Sequence, residues 1–207
     1  MAQNLKAELQ AGITELGLQI PTDAQEKMLA YLALLQKWNK VYNLTAIADP
    51  TEGLRMHVLD SLAVLPHLWA GEWLDVGSGG GIPGLILASS RPEWAFTLMD
   101  SNSKKTSFIQ QAAIELGLKN VRVYCGRVEA WHPEHKFDGI ISRAFTELQN
   151  FVAVTRHLLK PEGRWAAMKG QPEPELARLQ GAEVEQVIPL HVPGLDAARS
   201  LVVMRAN

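Results

Sequence analysis

The sequence lacks the features that would mark a secreted, membrane-bound or strongly basic protein. Cys125 is its only cysteine, so no disulfide can form within the chain, and a reducing compartment fits this composition. It has no N-terminal signal pattern and no long apolar run, so we expect a cytoplasmic protein without a membrane partner. The formal net charge is −2, so a nucleic-acid partner would have to contact a local group of cations.

The composition and the order of the apolar segments predict an α/β protein. Hydrophobic residues make up 47% of the 207 residues, which is enough for one domain with an accessory segment. Strands are predicted at residues 73–76, 95–99, 121–124, 137–142, 164–168, 184–190 and 201–205, and helices at residues 85–88, 103–116 and 147–159. This alternation, with a final hairpin-like pair, indicates a Rossmann-like sheet that is mostly parallel with an antiparallel edge strand.

Residues 1–70 are predicted to form an N-terminal helical extension that precedes the main domain, residues 71–207. A short helix ends near Gly17, and a capping box at residues 22–25 starts a longer one. Asp49 and Pro50 start a third helix, which continues to Leu65. Lysines and aromatic residues alternate between positions 37 and 42. We interpret them as a solvated flank beside core aromatics, and an RNA-facing surface is the alternative.

The stretch from Asp75 to Gly84 has five glycines directly after the first predicted strand. Glycines let the backbone turn tightly and let a ligand lie directly against it. In an open parallel sheet, ligands bind beyond the carboxyl ends of the strands, which is where this stretch falls. One or two glycines would be enough for a turn alone. The stretch therefore predicts a ligand-binding loop that includes Asp75, Gly77 and Gly79.

Two kinds of cofactor suit a glycine-rich loop at this place. The spacing of the glycines at 79, 81 and 84 formally matches the dinucleotide fingerprint, in which helix N–H groups bind a pyrophosphate. However, Pro83 has no N–H to donate, and Asp75 brings a negative charge close to the phosphate position. S-adenosylmethionine fits better, because it has no phosphate and carries a sulfonium and an ammonium group. Asp100, at the end of the next strand, can accept hydrogen bonds from both ribose hydroxyls.

Five motifs give nearly the whole chain a resemblance to a known family. They are Trp38 to Thr45, His57 to Ser61, Asp75 to Gly84, Ser142 to Ala144, and Lys169 with Gly170. The glycine loop together with Asp100 resembles the class I methyltransferases in general. All five motifs together resemble the glucose-inhibited division protein B family, the guanine-N7 methyltransferases of bacterial small-subunit ribosomal RNA. One departure is Gly80, where family members often carry proline.

The resemblance implies S-adenosylmethionine as the cofactor and small-subunit ribosomal RNA as the partner. It also implies roles for single residues around the cofactor. Gly77 and Ile82 would lie along its amino-acid part, Asp100 would bind its ribose, and Val128 and Glu129 would lie beside its adenine.

Arg143 is the predicted catalytic residue, because the resemblance places it at the reaction end of the cofactor. Its planar guanidinium would hold either the cofactor carboxylate or the target guanine, and a surface salt bridge is the alternative role. We predict no general base, since N7 of guanine has a lone pair and no proton at neutral pH. The protein would need to hold the nucleophile, the methyl group and the leaving sulfur in line.

Arg55, Lys169 and Arg199 are the predicted RNA-binding residues, and we expect them near the carboxyl edge of the sheet. The two histidines at positions 132 and 135 flank a proline, and no thiolate accompanies them, so a surface loop without metal is the favoured interpretation.

A binding function without catalysis is the main alternative, namely a ribosome-assembly factor that retains a cofactor pocket. The substrate could be naked RNA or the assembled subunit, and a monomer is our expectation for the oligomeric state.

Overall fold

A seven-stranded sheet lies at the centre of the computed structural model, which describes residues 2–207. In chain order its strands are β1 (Glu72–Val76), β2 (Ala95–Asp100), β3 (Val121–Cys125), β4 (Phe137–Arg143), β5 (Leu159–Lys169), β6 (Ala182–Pro189) and β7 (Ser200–Ala206). They lie side by side in the order β3-β2-β1-β4-β5-β7-β6. Neighbours from β3 to β5 are parallel, whereas β7 is antiparallel to both β5 and β6. The predicted α/β fold with an antiparallel edge is confirmed, with β7 as the reversed strand and β6 outermost.

Helices pack on both faces of this sheet. The α-helices are α1 (Ala2–Glu15), α2 (Thr22–Tyr42), α3 (Pro50–Gly53), α4 (Asp60–Ala63), α5 (Gly84–Ser90), α6 (Ser103–Glu115), α7 (Leu148–Thr155) and α8 (Glu173–Leu176). A π-helical segment, Leu54–Leu59, joins α3 to α4, and 3-10 turns lie at Leu65–His67, Val128–Ala130 and Arg156–Leu158. Side chains alternate between the two faces of a strand, so Trp73 packs in one core and its neighbour Leu74 in the other.

The helical extension shares a hydrophobic core with the sheet. Leu9 of α1, Met28 of α2 and Leu59 are fully or almost fully buried in one cluster with Leu85 and Phe108, which lie on helices that cover the sheet. This burial follows from the apolar face of each helix, which would otherwise be exposed to water. The extension is therefore packed as part of the same folded body as the sheet.

The aromatic residues at the end of α2 belong to this packing. The Trp38 ring lies 5.6 Å from the Phe108 ring and 5.2 Å from the Tyr42 ring, measured between centroids. Lys37 and Lys40 are exposed beside them. The favoured interpretation, a solvated flank beside core aromatics, agrees with the position of Trp38, which packs against the core, whereas Tyr42 is 42% exposed.

The capping box predicted at residues 22–25 is wrong. Helix α2 begins one residue earlier than that motif requires, so Thr22 is the first helical residue and Pro21 takes the N-cap position. The Gln25 side chain instead donates to the Ile20 carbonyl at 2.9 Å, which ties the preceding loop to the helix. The start predicted at Asp49 is confirmed, since its carboxylate accepts from the Glu52 N–H at 2.8 Å.

One predicted boundary between a helix and a strand lies in a different place. The helix predicted at 147–159 ends at Thr155 and continues only as a 3-10 turn. Strand β5 begins at Leu159, five residues before the predicted start, because Leu159 already pairs with Phe137 of β4. This boundary is set by pairing between distant segments of the chain, and such pairing cannot be predicted from a local sequence pattern.

Gly139→Ala is expected to destabilise the fold by about 1–3 kcal/mol, because a Cβ at Gly139 would lie 2.5 Å from the Trp73 ring, whose side chain is fully buried. Urea denaturation measures this change. Gly53→Ala is the control, since its Cβ would lie 3.6 Å from Leu32, an ordinary contact, and alanine suits a helix better than glycine. Equal stability in the wild-type and Gly139→Ala proteins would contradict the expected clash.

Candidate functional site: two adjoining clefts at the carboxyl edge of the sheet

The glycine loop follows β1 at the carboxyl edge of the sheet, where it was predicted. Gly77 has a φ of +68°, and a Cβ there would lie 2.5 Å from the Phe145 ring. Any residue with a side chain would therefore be strained and would also displace Phe145. The Tyr31 hydroxyl of α2 donates to the Gly80 carbonyl at 2.8 Å. The helical extension thus supports the loop directly.

Asp75 lies behind the loop and is fully buried. Its Oδ2 accepts from the Gly84 N–H at 2.8 Å, which fixes the end of the loop to the end of β1. Its Oδ1 has no hydrogen-bond partner within residues 2–207. Burial raises the pKa of Asp75 to about 7, against the opposing effects of the Gly84 N–H and of Arg143. Asp75 holds the loop from behind and is not among the residues that line the cleft in front of it.

The buried Asp75 carboxyl predicts a stability that falls as the pH rises. Between its ordinary pKa of 3.8 and its raised pKa of about 7, the folded protein keeps the proton and the unfolded chain releases it. Stability is therefore lost across this window, by at most about 4 kcal/mol. Asp75→Asn is expected to remove this part of the pH dependence, as measured by urea denaturation at several pH values. The same slope in the wild-type and Asp75→Asn proteins would contradict the assignment.

A cleft of about 310 Å³ opens in front of the loop. Four of the predicted cofactor residues line it: Gly77, Asp100, Val128 and Glu129. Its other lining residues are Val76, Met99, Ser101, Lys105, Gly126, Arg127, Ala144 and Phe145. We call it the cofactor cleft. It combines apolar walls with a few polar groups, which is typical of small-molecule sites.

Asp100 lies where the ribose of a cofactor was predicted to bind. Its Oδ2 accepts from the Gly79 N–H at 3.0 Å, and its Oδ1 accepts from the Asn102 N–H at 2.9 Å. The Lys105 ammonium lies 4.0 Å from Oδ2. Each carboxylate oxygen has a second lone pair, so Asp100 can accept from a ligand while it holds the glycine loop.

The structure places the other predicted cofactor residues differently. Gly79 is not among the residues that line the cleft, but its N–H donates to Asp100, which does line it. Ile82 is buried in the core behind the loop. Conversely, Lys105 and Phe145 line the cleft but were not among the predicted site residues. The one sequence signal for Lys105 was its place in the first turn of α6, where a cation opposes the helix dipole. No sequence signal indicated Phe145.

A second cleft of about 290 Å³ adjoins the first. Its lining residues are Asp60, Arg143, Ala144, Met168, Lys169, Gly170 and Arg199, and Ala144 also lines the cofactor cleft. We call it the basic cleft. Ala144 has a φ of +52°, a conformation that disfavours alanine by roughly 1–2 kcal/mol. Strain of this kind often accompanies a functional site, and here it lies where the two clefts meet.

The cations of the basic cleft are held in place by neighbouring groups. Arg143 and Arg199 both contact Asp60, each at 3.1 Å. The Lys169 ammonium lies 2.9 Å from Glu175 and donates to the Thr146 carbonyl at 2.7 Å. Three predicted residues, Arg143, Lys169 and Arg199, are thus brought together.

Arg55 is not among the residues that line the basic cleft. Its guanidinium donates to Glu8 of α1 at 2.7 Å, and its side chain is 40% exposed. It also lies against the chain at Gly194, where a Cβ would come within 2.7 Å of its Nε. Arg55 therefore lies at the contact between α1 and the loop before β7.

The segment with His132 and His135 forms a loop, as predicted. The ring of His132 lies 5.1 Å from the ring of His157, measured between centroids. Within residues 2–207, no three or more His, Cys, Asp or Glu side chains are grouped so that they could hold a metal ion. Over the same residues, no helix combines the length and the apolar character needed to cross a membrane.

The solved structures that resemble this fold include two methyltransferases. One is a SAM-dependent methyltransferase from Aquifex aeolicus, with a TM-score of 0.59 and 20% identity over 82% of this chain and 97% of that chain. Another is the N-methyltransferase NodS from Bradyrhizobium japonicum in complex with S-adenosyl-L-homocysteine, with a TM-score of 0.60 and 13% identity over 84% of this chain and 98% of that chain. At such identities the likeness defines the class of fold, the sheet of the class I methyltransferases.

Sequence comparison gives the family. The model of the GidB family, described as rRNA small subunit methyltransferase G, matches residues 24–202. A relative from Laribacter hongkongensis, a ribosomal RNA small subunit methyltransferase G, is 55% identical over 96% of this chain and 97% of its own length. The chain belongs to the GidB family. The resemblance noted in its five motifs is thereby confirmed.

Proposed function

We propose that this protein transfers a methyl group from S-adenosylmethionine to N7 of a guanine in small-subunit ribosomal RNA. The observation that carries the proposal is membership of the GidB family, whose model covers residues 24–202 and is described as rRNA small subunit methyltransferase G. Guanine N7 as the acceptor is what the resemblance in the five motifs implies. The class I methyltransferase sheet agrees with this proposal, since solved methyltransferases share it.

The geometry of the two clefts supports a transfer between two bound molecules. Ala144 lines both clefts, so a donor in the cofactor cleft and an acceptor in the basic cleft would meet at this residue. A methyl group has to pass directly from the donor to the acceptor. Adjoining sites hold both molecules close together and in a fixed orientation, which lowers the entropic cost of the transfer.

The residues of the cofactor cleft suit S-adenosylmethionine. Gly77 lines the cleft without a side chain that would occupy it, and Phe145 packs directly against it, since a Cβ at Gly77 would lie 2.5 Å from the ring. Asp100 retains lone pairs for two ribose hydroxyls, and Val128 and Met99 offer apolar surface for a base. When bound, this cofactor supplies a methyl group on a positively charged sulfur. The residues of the chain would bind it, orient it and exclude water.

The acceptor would be held by the basic cleft. Guanine presents O6 and N7 on one edge, and both are acceptors that an arginine can contact in a bidentate manner. Arg143 directly precedes Ala144, the residue that lines both clefts. Lys169 and Arg199 would contact the RNA backbone beside it, and Arg55 would contact RNA beyond the cleft. No residue is required to remove a proton, because N7 carries none.

We further propose that the extension, residues 1–70, and the sheet domain, residues 71–207, act as one catalytic unit in the cytoplasm. Asp60 and Tyr31 of the extension contact the basic cleft and the glycine loop, respectively. A monomer remains our expectation for the oligomeric state.

The test is to map 7-methylguanine in ribosomal RNA from cells with and without this protein. One position in the small-subunit RNA is expected to lose its methyl group when the protein is absent and to regain it when the purified protein and S-adenosylmethionine are added. Parallel reactions with naked RNA and with assembled subunits would identify the substrate. Binding of the cofactor and of RNA without any methyl transfer would overturn the proposal in favour of an assembly factor.

A further inference from the structure

Asp60 joins the helical extension to the sheet through two arginines. It lies at the start of α4, and its side chain is only 2% exposed. Its Oδ2 lies 3.1 Å from Nη1 of Arg143, at the end of β4, and its Oδ1 lies 3.1 Å from Nε of Arg199, directly before β7. Each oxygen of one buried carboxylate thus holds a different arginine, and the two arginines come from different parts of the sheet.

The arginine side chains of this cluster are held to different degrees. Arg143 has three of its five N–H groups in hydrogen bonds, to the Met56 carbonyl, to Asp60 and to Nδ1 of His57. Arg199 has two of its five in use, to Asp60 and to the Ala198 carbonyl. Five N–H groups across the two side chains therefore have no bond to the residues that the structure describes. These are the donors that the basic cleft can offer to a ligand.

His57 contributes as a neutral acceptor. Burial and the neighbouring Arg143 guanidinium lower the pKa of His57 to about 4, so the ring is uncharged at neutral pH. Its Nδ1 faces an N–H of Arg143 at 3.4 Å, which assigns the ring proton to Nε2, 3.2 Å from the Thr45 hydroxyl. The Thr45 hydroxyl in turn accepts from the Ile47 N–H at 3.1 Å. Arg143 is thus fixed from the extension at three points.

The charges of the cluster leave a surplus. Two guanidinium groups share one carboxylate, and His57 adds no charge, so the cluster of Asp60, Arg143 and Arg199 keeps one positive charge in excess. A buried carboxylate without these partners would be strongly unfavourable, and two arginines without the carboxylate would repel each other. The shared Asp60 carboxylate therefore allows Arg143 and Arg199 to lie side by side in fixed orientations.

We infer that Asp60 is a positioning residue, which holds Arg143 and Arg199 as one rigid pair so that their unused N–H groups face the acceptor guanine and its phosphates. The inference rests on the proposed function. It also gives the helical extension a role in the reaction, since the aligning groups at residues 56, 57 and 60 all come from it. Asp60 itself would act through the arginines and would not touch the RNA.

The first test does not depend on activity. In the wild-type protein, the Nε–H of Arg199 is expected to exchange slowly with water in nitrogen-edited NMR spectra, because it is bonded to Asp60. Asp60→Asn, which removes the charge and one acceptor, is expected to make this exchange fast. Asp138→Asn is the matched control, since Asp138 is also bonded to a cation, Lys160, but lies outside the basic cleft. Fast exchange in the wild-type protein would overturn the inference.

The second test is a double-mutant cycle on single-turnover methylation. Asp60→Asn is expected to slow methyl transfer about tenfold or more, with the affinity for S-adenosylhomocysteine unchanged. If Asp60 acts through the two arginines, Asp60→Asn is expected to slow the Arg143→Lys protein much less than it slows the wild type, since only the contact with Arg199 is then left to lose. Rates that fall by the product of the two single effects would overturn the inference. Asp138→Asn is expected to leave the wild-type rate unchanged.

Two further outcomes are covered by this design. If Asp60→Asn does not fold, as judged by thermal melting, Asp60→Glu replaces it in the cycle, since it keeps the charge but displaces the carboxylate from both arginines, and it is expected to show the same coupling to Arg143→Lys. If the wild-type protein transfers no methyl group, the proposed function fails and the catalytic part of the inference fails with it. The exchange measurement still reports separately whether Asp60 orders the arginines.

Discussion

A Gly77→Ala protein is expected to bind S-adenosylhomocysteine at least about tenfold more weakly than the wild type and to remain folded. The backbone at Gly77 has a φ of +68°, which disfavours alanine by roughly 1–2 kcal/mol. In addition, the new Cβ would lie 2.5 Å from Cδ2 of Phe145, a residue that lines the cofactor cleft. Relief of this contact would move either the loop or the ring. Both movements change the shape of the cleft, and a loss of 1.4 kcal/mol already corresponds to tenfold in affinity.

Calorimetric titration with S-adenosylhomocysteine measures this effect. Gly117→Ala is a close control, because Gly117 has a φ of +64° but nothing lies within 4 Å of the position that its Cβ would take. It is expected to lose a similar amount of stability to backbone strain, with the affinity for the ligand unchanged. A Gly77→Ala protein with wild-type affinity would show that the glycine loop does not shape the cofactor site.

The order of strands and helices was predictable because it depends on local patterns. Apolar runs such as 137–142 become buried strands, and the run of glycines directly after Val76 favours a loop. The position of the site follows from this order, since ligands of parallel sheets bind beyond the carboxyl ends of the strands. Gly77 and Asp100 could therefore be predicted as cleft residues from the sequence, and both line the cofactor cleft.

The partners of the functional side chains were not predictable in this way. Arg143 and Asp60 are 83 positions apart, and Gly77 meets Phe145 through the fold alone. The raised pKa of Asp75 was not predictable either, because it arises mainly from the complete burial of this carboxyl behind its own loop. A periodic pattern shows which face of an element is buried but not which side chain lies opposite it. Local rules also failed at Thr22, where a proline one residue earlier took the capping position.

Arg143→Lys is expected to slow methyl transfer on the order of 10²-fold while the protein stays folded. The substitution keeps the positive charge, so the buried Asp60 carboxylate is not left alone. However, a lysine has one ammonium group in place of a planar fork, and it cannot bond the Met56 carbonyl, Asp60 and His57 while it also directs N–H groups into the cleft. The acceptor guanine would be bound but poorly aligned with the methyl group.

Single-turnover methylation at saturating RNA and cofactor isolates this step, and thermal melting reports on the fold. Arg164→Lys is the matched control, because Arg164 also makes a two-point contact, to Glu185 at 2.5 and 3.4 Å, on an exposed part of β5 outside both clefts. It is expected to keep the wild-type rate. If Arg143→Lys is folded and equally fast, the guanidinium serves only the ion pair with Asp60. In that case alignment of the guanine has to come from Arg199 and Lys169, the other two cations of the basic cleft.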